Sequence, residues 1–464
     1  MLQLSRRTFI ELAGASVICG CSSTSIAGNT DFPVLAFSDL HFDPFFDPDP
    51  RIFSALNSSD PSQWAAIFAS STIKAPSQPG SDTNYPLLVL ALASIRQNLG
   101  ASPFILFTGD LLGHGILKHY ETVTGSTDTA AMQLFTDKVV SFVTQQIRAV
   151  AGDVPVLFAV GNCDSYTGYG PDSVFLANTA DLFYTRMLNG AANHQDFLAS
   201  FTAAGYYAAE PAGTNVMVIG LNTIMFSPMV QNTDGSENNQ AAVDAELAWF
   251  DSTLASAKAA GKRVWLLMHA PPGADEGTTA QSVQANGQIA SATMMWEENY
   301  QATFMQVLSK YPGVIAMTLA GHTHMDEYRI MSAGHVVEIT PGISPCFKND
   351  PAYKIYRLDR TTLEPTDYSS LNYDLAKTPA QFNSYYTYSD AYAPTGSLES
   401  SLERLFPKLV ADAASQALYR GHFYSGNNSM NPITNTNWPI YWAGIGIMSE
   451  LDVVAGVNSY RRGA

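Results

Sequence analysis

Charge is scarce in this chain, and positive charge is scarcest: 464 residues hold 24 Lys and Arg against 41 Asp and Glu, for a formal net charge of −17 at pH 7. A surface of that sign repels nucleic acid polymers and anionic membranes, so neither is expected as a partner, although local cations could still hold a small phosphoester. Cysteine is nearly absent. Of the 4 present, Cys19 and Cys21 stand in the N-terminal segment, leaving Cys163 and Cys346, too few for a disulfide framework; free thiols are expected. No apolar run is long enough to span a bilayer, and no internal repeat or heptad series is present.

What is there suits a compact protein. With 46% hydrophobic and 14% charged residues the chain can bury a large core, and one catalytic domain with a smaller appendage is the default, expected as a monomer. Ser5-Arg6-Arg7-Thr8-Phe9-Ile10, followed by a short apolar stretch, resembles a twin-arginine export signal. Ile18-Cys19-Gly20-Cys21 resembles a lipobox that would make Cys21 a lipidated membrane tether; cleavage near Ala27-Gly28 is the alternative. The expected division is 1–20 signal, 21–32 linker, 33–375 catalytic domain and 376–464 helical C-terminal subdomain, in a protein exported to the periplasm or cell envelope.

The chemistry gathers at the ends of apolar runs. Residues 105–108 run into Gly109-Asp110, and His114 follows; 34–37 run into Ser38-Asp39-Leu40-His41; 155–160 into Gly161-Asn162-Cys163-Asp164. Residues 264–268 run into His269, and 314–320 into Gly321-His322-Thr323-His324. Each run is short and β-rich, so each potential ligand is delivered at the carboxyl end of a buried strand, where α/β sheets place their sites. Five of the 9 histidines fall in these windows.

Helical spacing over 87–100, 129–150, 241–260 and 398–419, alternating with strands near 33–38, 215–222, 336–340 and 353–358, predicts an α/β fold of stacked mixed β-sheets flanked by helices, with a small helical C-terminal extension. The Pro- and Phe-rich stretch after His41 is expected at the rim of the site, 57–83 as a polar excursion, and 271–292 as a mobile lid.

Two divalent cations roughly 3.5–4 Å apart require a bridging carboxylate and mixed imidazole and oxygen ligands. Asp110 is the candidate bridge; Asp39, His41 and His324 would complete one cation, Asn162, His269 and His322 the other. Such donors suit borderline first-row ions, Zn, Mn or Fe.

In order, these elements resemble the calcineurin-like metallophosphoesterase superfamily, whose pattern is D-x-H, G-D, G-N-[HN]-[DE], H and G-H-x-H. Across about residues 33–375 the resemblance narrows to the acid sphingomyelinase-like phosphodiesterase branch, through Phe37-Ser-Asp-Leu-His-Phe-Asp-Pro, Gly109-Asp-Leu-Leu-Gly-His, Met268-His-Ala-Pro-Pro-Gly, Ile339-Thr-Pro-Gly-Ile-Ser-Pro and Asn349-Asp-Pro-Ala-Tyr. It implies a metallophosphoesterase sandwich and hydrolysis of a phosphodiester. Related purple acid phosphatases carry a ligand tyrosine where this chain has Gly113, which speaks against a redox iron site.

Two departures shape the expectation. Cys163 replaces the histidine that often follows the ligand Asn as proton donor, so the acid role passes to His114, which matches a histidine of the branch; Asp110 and Asn162 complete the expected catalytic set. Only 18 positions separate Cys21 from Asp39, too few for a saposin domain, so a soluble or nucleotide-like diester is expected rather than bilayer sphingomyelin. His114, Cys163, Asp164 and Asn349 are the expected substrate contacts. The alternatives are a phosphomonoesterase or nucleotide pyrophosphatase on the same site, or a non-catalytic envelope lipoprotein that binds metal and phosphate.

Overall fold

The computed structural model describes residues 31–170, 172–229, 240–331 and 334–460; the expected export signal and Cys21 lie outside the described residues. The strands are β1 (Asp31–Phe37), β2 (Ile105–Phe107), β3 (Val156–Phe158), β4 (Tyr207–Ala209), β5 (Val216–Gly220), β6 (Arg263–Leu267), β7 (Ile315–Ala320), β8 (Glu327–Ile330), β9 (Val336–Ile339), β10 (Ala352–Asp359), β11 (Pro365–Asn372) and β12 (Asn383–Thr387). They form two six-stranded sheets, ordered β12-β11-β10-β1-β2-β3 and β4-β5-β6-β7-β9-β8. In the first, β1, β2 and β3 are parallel and β10 to β12 antiparallel. In the second, β5, β6, β7 and β9 are parallel, and β4 and β8 close the edges antiparallel.

Strand periodicity explains the stacking. Trp265 and Leu267 of β6 enter the core between the sheets, while Val264 and Leu266 turn to the outer helices Gln240–Ala259 and Glu298–Ser309. Strands covered on both faces read as unbroken apolar runs, which is why the site-bearing windows were legible. Trp265 Nε1 donates to the Leu363 carbonyl, and Phe104 meets its ring edge-on at 5.5 Å, joining the two sheets. Helices Tyr85–Asn98 and Thr129–Ala151 flank the first sheet; Ser94 and Asn98 bond the Tyr353 hydroxyl of β10 at 2.8 and 3.0 Å. The architecture is therefore the expected one, stacked mixed sheets between helices. No described helix is long and apolar enough to cross a membrane.

Several local expectations fail. The stretch after His41 does not rim the site: Phe42 is fully buried against Phe68 and Phe142, and Phe45 packs on Phe53 and Phe135. Aromatic burial outweighs the loop-forming prolines there. The polar excursion contains helix Trp64–Ser70, anchored by only two buried side chains, Trp64 and Phe68. The helix expected over 398–419 breaks at Asp412, whose carboxylate caps a second helix by accepting from the Ala414 and Ser415 amides. Residues 376–464 are not purely helical either, since β12 pairs with β11 across the expected boundary. The stretch expected as a lid is anchored at its far end: Ile289 and Ala292 pack on Ile440 and Val453, and Asn458 bonds both the amide and the carbonyl of Ile289 at 2.9 Å.

Candidate metal centre

Five parallel strands bring their carboxyl ends to one place. β1 delivers Asp39 and His41, β2 delivers Asp110, β3 Asn162, β6 His269, and β7 His322 and His324. The loops are stitched together by backbone bonds, Asp39 N–H to Gly109 O and His41 N–H to Asp110 O at 3.0 Å, and Gly321 N–H to His269 O at 2.9 Å. Holding the ligands inward strains the chain: Asp39, His41, Asp110, His322 and His324 all have positive φ, between 40° and 74°. Such a backbone costs on the order of 1–3 kcal/mol at each non-glycine residue and persists only where surrounding structure enforces it, commonly at functional sites. Gly161 is demanded by close approach, since the Asp110 carboxylate fills the space a Cβ would take.

The ligand atoms form two groups. Those of Asp39, His41 and His324 lie within 4.8 Å of one another, as do those of Asp110, His269 and His322. Asp110 Oδ2 stands between the groups, 3.2 Å from His41 Nε2 and 3.1 Å from His269 Nε2. Asn162 Oδ1 joins the second, 2.8 Å from His322 Nδ1 and 3.1 Å from His269 Nε2. Three imidazoles are oriented in one way: Nδ1 of His41, His269 and His324 donates to the carbonyls of Leu112, Thr108 and Ser344 at 3.1, 2.7 and 3.0 Å. Each therefore offers Nε2 to the centre, the orientation that holds a metal-binding histidine. The donor set and these outer bonds fit two first-row cations. A Cβ at Gly113 would press on the Phe42 backbone, so no tyrosine ligand could sit there.

Burial opposes charge throughout the centre, yet pairing decides the outcome. His269 and His41 hold Asp110 far below the usual carboxylate range, and His324 and His41 hold Asp39 at about 2. Burial would lower His41 and His269, but Asp110 raises both to about 9; His322 and His324 are pushed down to about 4 by burial. Below about pH 9 the metal-free site thus carries protons on two nitrogens that cations need. Loading should release them, and affinity should climb with pH by roughly tenfold per unit for each proton released. Calorimetric titration of metal in buffers of different ionisation enthalpy measures this; an affinity flat across neutral pH would refute the assignment of these nitrogens as ligands.

Of the expected substrate contacts, His114 and Cys163 stand beside the imidazoles of the centre, and Asp164 and Asn349 bond loop backbone. His114 is 44% exposed by side chain and stacks on His41 at 4.2 Å, and its Nδ1 lies 2.9 Å from Asp82 Oδ1. Asp82, unmarked in the polar excursion, also accepts the His114 amide at 2.7 Å; burial would raise its carboxyl, but His114 and His41 bring it to about 2. Cys163 is a buried free thiol whose Sγ lies within 4.8 Å of ring nitrogens of His41 and His114. Burial and the neighbouring Asp110 and Asp164 push that thiol well up, against thiolate formation.

Asp164, by contrast, organises backbone. Its carboxylate accepts from the amides of Gly161, Asp110, Leu111 and Leu112 at 2.9–3.3 Å, clasping the β2 and β3 loops. Asn349 is fully buried and spends its amide on the Gly342 and Ser344 carbonyls. The bonds that the structure gives both residues are to loop backbone, which assigns them to shaping the loops. Asp164→Ala would strand four amides at about 1–3 kcal/mol for each one left unsatisfied. A loss of at least about 3 kcal/mol in denaturant stability is expected; unchanged stability with weakened substrate binding would restore the contact role.

A cavity of about 460 Å³ opens beside His322, the partly exposed ligand. Met295, Met325 and Phe347 line it with Phe423, Tyr424 and Tyr441 from the C-terminal region, and among the described residues no Lys or Arg does. Glu276 and Glu327, also on its wall, are tied to the buried Arg329 at 2.5 Å each.

The family model described as calcineurin-like phosphoesterase matches residues 32–326. Sphingomyelinase phosphodiesterase C of Dictyostelium discoideum is 26% identical over 312 residues, covering 62% of this chain and 61% of that protein. Human acid sphingomyelinase-like phosphodiesterase 3b is 23% identical over 413 residues, 82% of this chain and 80% of its own length. Human cyclic GMP-AMP phosphodiesterase SMPDL3A is 22% identical over 360 residues, with 72% and 68% covered. The chain spans about three fifths of the length of the Dictyostelium relatives C and D.

Proposed function

The chain belongs to the calcineurin-like phosphoesterase family, and from that premise we propose that it is a dimetal phosphodiesterase acting on a small, soluble or nucleotide-like phosphodiester. The observation that carries the diester reading is the cavity at His322: a diester brings a second organic group that needs a berth, and this one offers aromatic, thioether and amide surface. A polyphosphate chain would meet Asp275 there and no lining Lys or Arg among the described residues, which weighs against a pyrophosphatase.

Asp39, His41, His324, Asp110, Asn162, His269 and His322 would hold two cations, Zn, Mn or Fe. When bound, these supply charge neutralisation at the phosphoryl oxygens and lower the pKa of water. The protein's own groups do the rest. Burial of the centre excludes bulk solvent, and the Nδ1 contact with Asp82 leaves His114 Nε2 as the atom that hands a proton to the departing alkoxide. Export, with a lipid tether at Cys21, belongs to the same proposal and rests on residues 1–21 alone.

Metal-loaded protein should hydrolyse bis(nitrophenyl) phosphate with a kcat/KM at least about tenfold above that for the nitrophenyl monoester, and chelation should abolish both. The reverse preference would make the protein a phosphomonoesterase. No turnover of either ester by protein carrying two cations would leave the binding lipoprotein.

A further inference from the structure

We propose that Asp82, His114 and Cys346 form a third cation site at the mouth of the centre, taking a thiophilic divalent ion such as Zn²⁺ or Cd²⁺ and withdrawing His114 from proton donation when filled. The three ligand atoms lie within 4.8 Å of one another, and none belongs to the seven-residue dimetal set. All three residues are partly exposed, so the site is reachable from solvent. With the Cys346 thiol proton released to solvent as the ion binds, a carboxylate, an imidazole and a thiolate together balance a divalent charge and match the mixed oxygen, nitrogen and sulfur preference of zinc, with a fourth position open to water.

The site is held in place before any ion arrives. Gly80 N–H donates to Pro345 O at 2.8 Å, pinning the loop of Asp82 to the turn of Cys346, and Ser344 Oγ reaches Asp82 Oδ1 at 3.4 Å. His114 is wedged between the His41 ring at 4.2 Å and the edge of Phe347 at 6.0 Å. Cys346 Sγ stands 3.8 Å from His324 Nδ1, so an ion here would feel the charge of the dimetal pair. It should therefore bind last and more weakly, giving activation at low metal and inhibition at excess. Cys163, close to His41 and His114, is the rival sulfur ligand.

The inhibitory consequence rests on His114 being the proton donor; the binding does not. Equilibrium dialysis against Cd²⁺, read with the thiolate-to-cadmium ultraviolet band, decides it. Wild type and Cys163→Ser should bind three ions and show the band, whereas Cys346→Ser and Cys346→Ala should bind two and lack it. Three ions and an undiminished band in both Cys346 variants, or loss of the band in Cys163→Ser alone, would overturn the site. Excess Zn²⁺ should slow alkyl diester hydrolysis at least about tenfold in wild type and leave the Cys346→Ser rate, relative to its own zinc-limited value, unchanged. Absence of any hydrolysis would defeat the proposed function while the ion count still tests the third site.

Discussion

Asp110→Asn is expected to drop the cation content below two per chain and to cut phosphodiester hydrolysis by about a thousandfold or more. The carboxylate is the group common to both halves of the centre, with His41 and His269 each about a hydrogen-bond length from Oδ2 and the Cys163 amide donating to Oδ1 at 2.7 Å. An amide keeps the shape and the Cys163 bond but removes the negative charge that sets both imidazoles near 9. Charge stabilisation by such a centre is worth several kcal/mol in the transition state, and each 1.4 kcal/mol or so is tenfold in rate, which gives about three decades. Elemental analysis beside kinetics, with circular dichroism to verify folding, makes the measurement. Two tightly held cations and activity within about tenfold of wild type would remove Asp110 from the bridging role.

His114→Ala should slow alkyl phosphodiesters by about 10²- to 10⁴-fold while barely affecting nitrophenyl esters, whose leaving group needs no proton. The ring sits against His41 yet outside the ligand groups of the dimetal centre, and its Nδ1 contact with Asp82 leaves Nε2 as the nitrogen not engaged there. Asp82→Asn should act in the same direction but less severely, since it disturbs the orientation and tautomer of the donor rather than removing it. Cys163→Ser should change both ester types only modestly, because its buried thiol gives up a proton too reluctantly. Equal losses on both ester types in His114→Ala, with metal content intact, would make His114 a phosphoryl-binding group. A large loss confined to alkyl esters in Cys163→Ser would transfer the acid role to the cysteine.

The candidate ligands of the centre were readable along the chain because each is a local event. A strand buried on both faces is an unbroken apolar run, and the ligand is the residue where it stops: Asp39 after β1, Asp110 after β2, Asn162 after β3, His269 after β6, His322 and His324 after β7. What each side chain meets was decided only in three dimensions. Asp110, Asp164 and Asp82 are all buried or half-buried carboxylates in loops; one faces two imidazoles, one faces four backbone amides, and one aims His114 from 32 positions away. Nothing in the neighbouring residues distinguishes those fates, since a carboxylate's role follows from the donors packed around it, and these come from distant segments. The cavity wall shows the same limit: Phe423, Tyr424 and Tyr441 lie about a hundred residues beyond His322, in a stretch without motifs, and only the packing of the C-terminal helices sets them beside it.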